Sequence, residues 1–274
     1  MTKHLRRWIR STSIWVSVVA AGLLVLASVS QAQEIHTPHC LYGCPAGTPS
    51  TNDLIVREIY TLSSNDLTKF ADWVAYVVTP GTIGPSQTRV WRADPLLDVR
   101  ETLEPEDYTG AHAALGTDRG HQVPLASVSG TPDWETSNYL SNITPQKSDL
   151  NQGPWSQLEQ AVRDMVITTG NSAYVLTGPL YERPMTPLPG ADEPHLVPSG
   201  YWKIIAVKDD SQVAVAAFIF EQETPRSAGY CVGLTTVSDI EVRSRLMMFS
   251  DIGSDPVAID GGSAAELAQA LGCI

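Results

Sequence analysis

The residues with the means to do chemistry fall in one stretch, Asp118 to Arg163. It opens Asp118-Arg119-Gly120-His121 and passes through Asn138-Tyr139-Leu140-Ser141-Asn142-Ile143-Thr144-Pro145-Gln146. It then runs Asp149-Leu150-Asn151-Gln152-Gly153-Pro154-Trp155 to Glu159 and Arg163. A histidine beside arginines, with no cysteine in the stretch, suits base catalysis on an anion: an imidazole with an ordinary pKa near ~6.5 accepts a proton at neutral pH. The run of Asn, Gln, Ser and Thr ahead of a helix offers oxygen ligands for a hard cation. Together these features predict a metal-dependent phosphodiester hydrolase.

The supporting residues each have a plainer reading as well. Asp118 could fix the local turn or the imidazole tautomer, the turn being the default. Gly120 permits a tight turn or a close backbone approach. Pro124 ends any helix, so His121 is expected in a polar turn. Pro154 suits the first turn of a helix, with Asn151 just ahead of it. Trp155, Leu158, Val162 and Met165 then recur at helical spacing as the buried stripe. Glu159 and Arg163 lie four apart on another face, either as a solvated pair contributing about 0.2–0.5 kcal/mol or as groups near a cation and a phosphate.

The elements that must hold these residues read as strands with few helices. Leu54 to Tyr60, Trp73 to Val78, Ala173 to Thr177, Trp202 to Val207 and Val213 to Phe220 are strand candidates. The last two are nearly continuous apolar runs joined by 208–212, as expected of central strands buried on both faces. Arg89-Val90-Trp91-Arg92 is a short basic-aromatic segment, by default an exposed strand with a packed tryptophan. A short helix is expected near Asp107 to Leu115. Ser238 with Glu241 forms a capping box opening a helix toward Phe249, and Ala264 to Leu271 forms a terminal helix. With no repeat or linker, the expectation is one α+β domain around a mixed or mainly antiparallel sheet flanked by helices and long loops.

Composition sets the outer bounds. The 274 residues carry a net charge of −12 with 43% hydrophobic content, which suits an ordinary globular chain and argues mildly against tight non-specific nucleic-acid binding. Lys3, Arg6, Arg7 and Arg10 precede an apolar stretch from Ile14 to Val29, and Ser30-Gln31-Ala32 offers small residues for signal peptidase. Cleavage is expected after Ala32, leaving residues 33–274. Losing four basic residues and no acidic ones takes the net charge from −12 to −16. The four cysteines, Cys40, Cys44, Cys231 and Cys273, read as two disulfides in an exported chain: Cys40 with Cys44, and Cys231 with Cys273. A zinc site on His36, His39, Cys40 and Cys44 is the competing reading.

The run from Asp118 to Glu159 resembles the signature of the secreted non-specific DNA/RNA endonucleases, the Serratia nuclease type of the ββα-metal (His-Me finger) superfamily. Asp-Arg-Gly-His alone is a short match. Ser141 to Gln146 and Asp149-Leu150-Asn151 at the right distance make it specific. The likeness extends over nearly all of the mature chain, including Thr88-Arg89, Leu176 to Arg183 and the cysteine spacing. It implies a ββα-metal motif and a Mg²⁺ cofactor, which Mn²⁺ could replace. It implies His121 as general base, Asn151 as the single direct protein ligand of the metal, and Glu159 as the carboxylate holding metal-bound water. Arg89 would stabilise charge on the phosphate. Arg119 and Arg163 would support the substrate backbone, and Asn138 and Asn142 would line the site. The implied substrates are DNA and RNA, cleaved with little sequence preference to 5′-phosphorylated products. The implied location is periplasmic or extracellular, with no stable membrane association after cleavage, and a homodimer is allowed. Two rivals stand beside this reading: a catalytically idle nucleic-acid-binding module, and a phosphodiesterase acting on small substrates.

Overall fold

The computed structural model describes residues 35–208, 213–251 and 262–273. The expected signal segment 1–32 and the 209–212 connection lie outside the described residues. Seven strands form an antiparallel sheet in the order β1-β2-β3-β6-β7-β8-β9. They are β1 (Asp53–Val56), β2 (Thr61–Ser64), β3 (Ala71–Val78), β6 (Ala173–Leu180), β7 (Gly200–Lys208), β8 (Val213–Glu221) and β9 (Leu234–Thr235). β4 (Thr117–His121) and β5 (Ile143–Lys147) pair separately as a two-stranded ribbon. The α+β class with an antiparallel central sheet is as the sequence predicts.

The helices are α1 (Ala111–Leu115), α2 (Leu125–Val128), α3 (Ser148–Leu150), α4 (Ser156–Thr169), α5 (Val237–Ser244) and α6 (Gly262–Ala270). The sheet buries both faces, because successive strand residues point to opposite sides. On one side Tyr76, Val175, Tyr201, Ile205 and Phe218 pack with Trp155 just ahead of α4, with Leu158, Val162 and Val166 of α4 and with Leu267 of α6. On the other, Trp73, Ala75, Leu176, Trp202 and Ile204 pack with Val237 and Ile240 of α5. The long apolar strands β7 and β8 are therefore central and buried, as their composition predicts. Among the described residues no helix is long and apolar enough to cross a membrane.

Several local expectations are corrected. The single strand read from Leu54 to Tyr60 is two elements: the chain turns at Arg57, whose N–H donates to the Tyr60 carbonyl at 2.8 Å, and returns as β2. Neither Gly nor Pro marks that turn. The helix near Asp107 is split into a 3₁₀ turn at Pro105–Tyr108 and α1, with Gly110 between them at φ 76°. Arg89 to Arg92 is no strand; only Arg92 makes an isolated bridge, to Tyr139. The cap of α5 is Thr236, whose side chain accepts the Asp239 N–H. The helix ends at Ser244, and the Glu241 carboxylate instead accepts the Met248 N–H at 2.8 Å.

Both disulfides form as read, Cys40–Cys44 and Cys231–Cys273. This removes the zinc alternative. The thiolates it needs are consumed, and His39 is engaged with Thr61 Oγ1 at 2.9 Å and the Glu58 carbonyl at 3.1 Å.

Candidate active site

His121 ends β4, a strand rather than the polar turn expected from sequence. The β4–β5 ribbon places Gly120 opposite Thr144 and His121 opposite Ile143. Gly120 is required by close approach: a Cβ there would lie 2.5 Å from Gln146 Oε1 and 2.8 Å from Gln146 Cβ. Gln222, itself buried, fastens the ribbon to the main sheet. Its Nε2 donates to the Pro145 carbonyl at 2.9 Å and its Oε1 accepts the Lys147 N–H at 2.8 Å. Tyr201 Oη donates to the same Pro145 carbonyl at 3.0 Å.

From β5 the chain passes through α3 into α4 by a break at Gly153 (φ −112°, ψ −118°). The backbone of Arg226 lies 2.8 Å from where a Gly153 Cβ would stand. The Arg226 side chain clamps the same turn, reaching Asp149 Oδ1 at 3.2 Å and Gln152 Oε1 at 2.9 Å. Pro154 and Trp155 then lead into α4. Strand, strand and helix thus form one unit around His121 and Asn151.

His121, Arg89, Arg119 and Asp118 line one cleft of about 350 Å³ with Trp91, Tyr108 and His112. A larger cavity of about 700 Å³, near Asp72, Tyr181 and Arg243, contains none of the predicted residues; size alone does not mark this site. His121 Nε2 lies 3.2 Å from Asn138 Oδ1. An amide oxygen only accepts, so Nε2 carries the proton and Nδ1 keeps its lone pair. The Trp91 ring covers the imidazole at a centroid distance of 5.3 Å. Burial pushes the His121 pKa down to about 4; the Asn138 hydrogen bond opposes that fall and the Arg89 charge adds to it. The result is an imidazole that stays neutral, a proton acceptor, through the physiological range.

Asp118 fixes neither the tautomer nor merely a turn. Its carboxylate accepts from Asn151 Nδ2 at 2.9 Å, Gln152 Nε2 at 2.8 Å and Ser148 Oγ at 2.7 Å. Burial raises its pKa, but those three donors and nearby His112 outweigh the effect and hold it below the usual value. With Nδ2 committed, Asn151 is left with its carbonyl oxygen, a ligand atom that suits a hard divalent cation.

Arg119 is half-buried, its guanidinium donating to the Pro105 carbonyl at 2.8 Å and stacked over Tyr108 at 5.1 Å. Arg89 is exposed at the mouth. Asn142 is fully buried: Oδ1 accepts the Val123 N–H at 2.9 Å and Nδ2 donates to the Ser137 carbonyl at 2.8 Å. Its amide thus braces the segment behind the ribbon and does not line the cleft.

Glu159 and Arg163 stand apart from the cleft wall, and they are not a solvated pair. Arg163 is buried, donating to Ser127 Oγ at 3.3 Å and Gln160 Oε1 at 2.8 Å. Glu159 is half-buried, and burial raises its pKa against the pull of Lys203 and then Arg163. Lys203, buried with its ammonium 4.2 Å from the centroid of the Trp155 indole, belongs to no sequence motif. It is the one charged residue inside the apolar run Tyr201–Val207, and that exception was the available signal. Trp91 was undervalued, since tryptophan reads first as core. Among the described residues, two carboxylate clusters, Asp53–Asp66–Glu101 and Glu104–Asp107–Glu193, have cation-ligand spacing; neither includes a residue of the His121 cleft.

A two-stranded ribbon carrying one histidine, followed by a helix with an asparagine at its approach, defines a ββα-metal fold. Residues 35–254 match the DNA/RNA non-specific endonuclease family, and the chain belongs to that family. It is 46% identical over 259 residues to a nuclease of Serratia marcescens, covering 93% of this chain and 97% of that protein. A nuclease of a Nostoc species is 33% identical over 62% of both chains. Human mitochondrial endonuclease G is 32% identical over 49% of this chain and 45% of its own. Among solved structures, a chain of the EndoG/EndoGI complex superposes with a TM-score of 0.65 at 21% identity, covering 76% of this chain and 89% of that one; this likeness speaks to fold alone.

Proposed function

We propose that the protein is a secreted, Mg²⁺-dependent endonuclease that hydrolyses phosphodiester bonds of DNA and RNA with little sequence preference, leaving 5′-phosphorylated products. The observation that carries this reading is the His121–Asn138 hydrogen bond of 3.2 Å. It leaves Nδ1 as the basic atom of an imidazole held neutral by its surroundings. His121 removes a proton from the attacking water at Nδ1, a contribution typically of ~10²–10⁴-fold. Arg89 at the cleft mouth donates to the phosphate as charge develops on it. Arg119, fixed by Pro105 and Tyr108, adds positive potential beneath the substrate. Asn138 holds the tautomer, while Arg163 and Glu159 act from the helix behind, Glu159 accepting hydrogen bonds from water of the site.

The metal fits the residues present. Asn151 would hold it through Oδ1, oriented by Asp118, and a hard cation with few protein ligands keeps most of its coordination for water and phosphate. When bound, Mg²⁺ supplies neutralisation of phosphate charge and stabilises the leaving oxygen. Mn²⁺, sharing oxygen ligands and octahedral preference, is expected to substitute.

Two disulfides and the basic-then-apolar start support export, with residues 1–32 removed and 33–274 forming the catalytic domain. Side-by-side assay of plasmid, single-stranded DNA, RNA and a small chromogenic diester tests the function. Cleavage of all three nucleic acids is expected. Cleavage of the diester alone would favour a small-substrate phosphodiesterase, and binding of nucleic acid without cleavage would leave an idle binding module.

A further inference from the structure

The connection from β8 to β9 touches both halves of the catalytic motif. Gln222 fastens the β4–β5 ribbon, and Arg226 reaches the turn that carries Asn151 toward α4. The Arg226 backbone rests on that turn: its Cα and its carbonyl oxygen each lie 2.8 Å from where a Gly153 Cβ would stand. A side chain that starts from backbone packed this closely has less freedom to lose when it makes its hydrogen bonds.

The guanidinium is partly exposed. Nε donates to Asp149 Oδ1 at 3.2 Å, and Nη2 donates to the Ser148 carbonyl at 3.5 Å and to Gln152 Oε1 at 2.9 Å. The exposed ion pair with Asp149 adds little to stability. The contact with Gln152 has another consequence. A guanidinium can only donate, and an ionised carboxylate can only accept. With Arg226 at one end and Asp118 at the other, a single orientation of the Gln152 amide satisfies both. Oε1 faces Arg226, and Nε2 donates to Asp118 Oδ2 at 2.8 Å. That same oxygen accepts Asn151 Nδ2 at 2.9 Å. Turned over, the Gln152 amide would set its oxygen against the carboxylate and push it away from Asn151.

We propose that Arg226 is a positioning residue for the metal site, acting through Gln152 and Asp118 to hold the Asn151 amide with Oδ1 toward the cation. This rests on the assignment of Asn151 as metal ligand under the proposed function. Every link in the relay is a hydrogen bond, and none requires a proton to be gained or lost.

The relay can be read without metal. In the metal-free protein, ¹⁵N NMR follows hydrogen exchange at the Asn151 side-chain amide, its signal assigned by its loss in Asn151→Ala. That amide should lose its protection in Arg226→Met, which keeps an apolar stem and removes the donors. In plasmid cleavage, Arg226→Met should raise the Mg²⁺ needed for half-maximal rate by about 10-fold, the lower end of the cost of losing a partner that orients a ligand. The KM for DNA and the melting temperature should stay near wild type, which separates positioning from a general loss of structure. Gln152→Ala should raise the Mg²⁺ requirement likewise, and the two substitutions together should cost no more than either alone, since both cut one relay.

Unchanged exchange of the Asn151 amide in Arg226→Met overturns the proposal. So does an unchanged Mg²⁺ requirement in that variant while Asn151→Ala raises it. Additive losses in the double variant overturn the route through Gln152. An unchanged Mg²⁺ requirement in Asn151→Ala as well would instead overturn the reading of Asn151 as metal ligand, and the proposal with it.

Discussion

Asp118 Oδ2 accepts the Asn151 amide hydrogen at 2.9 Å, joining the first strand of the ribbon to the approach of α4. The carboxylate spends its lone pairs on donors from three residues of that approach and so determines which atom Asn151 can present. Asp118→Ala should free the amide to rotate. The expected cost is about 10–100-fold in activity, as for loss of a partner that orients a metal ligand, with more Mg²⁺ needed for half-maximal rate. Metal titration of plasmid cleavage measures both. An unchanged half-saturation would show that Asp118 serves only the turn.

Asn151→Ala should lower the rate and raise the metal requirement further. Removing bound metal with chelator should abolish activity, and excess Mg²⁺ or Mn²⁺ should restore it. Asn151→Asp keeps an oxygen and adds a charge, so less metal should give half-saturation while the rate falls, because the cation then pulls less on phosphate. Chelator-resistant cleavage would place the cation away from Asn151.

His121→Ala should lose about 10²–10⁴-fold in kcat while binding DNA and melting nearly as wild type. Activity within tenfold of wild type would remove the imidazole from the role of base.

The pH dependence has a defined sign. His121 titrates near pH 4 in the folded chain against ~6.5 when unfolded, so the acid limb of kcat/KM should lie well below 6. Asn138→Ala removes a contact that raises the pKa, and the limb should move down. Arg89→Met removes a charge that lowers it, and the limb should move up. Stability follows the same group. The unfolded chain binds more protons between ~6.5 and about 4, so His121's contribution is present above 6.5 and is lost as pH falls through that window. Thermal melts across pH 4–7 should show wild type losing stability toward acid relative to His121→Ala.

Gly120→Ala should disturb the ribbon, since the added methyl meets Gln146 side-chain atoms at 2.5–2.8 Å. Overpacking of this kind costs roughly 1–3 kcal/mol. Pairing it with Gln146→Ala should recover much of the loss in a denaturant titration; no recovery would point to backbone strain instead.

The site was legible in the sequence where chemistry needs a residue type, and less so where geometry does. Asp118, His121 and Asn151 sit in a dense polar run that stands out from its surroundings. The ribbon that carries Asp118 and His121 does not: β4 and β5 are rich in polar residues, with no apolar alternation, and they are fastened to the main sheet by Gln222 and Tyr201 far along the chain. Asn142 looks like a polar site residue from composition, yet its amide serves the backbone of Val123 and Ser137. The β1–β2 turn was invisible because no glycine or proline marks it. The long strands β7 and β8 were plain, being apolar on both faces, and the same uniformity drew attention away from Lys203.

The Cys231–Cys273 bridge, spanning 42 positions, changes what a protease can accomplish. Cutting any single peptide bond between these cysteines leaves one covalent molecule, with α6 still tied to the chain that leaves β8. The two fragments would separate on a gel only after reduction. In surroundings shared with proteolytic enzymes, a nick in this segment becomes a scar rather than a loss of the C-terminal tail.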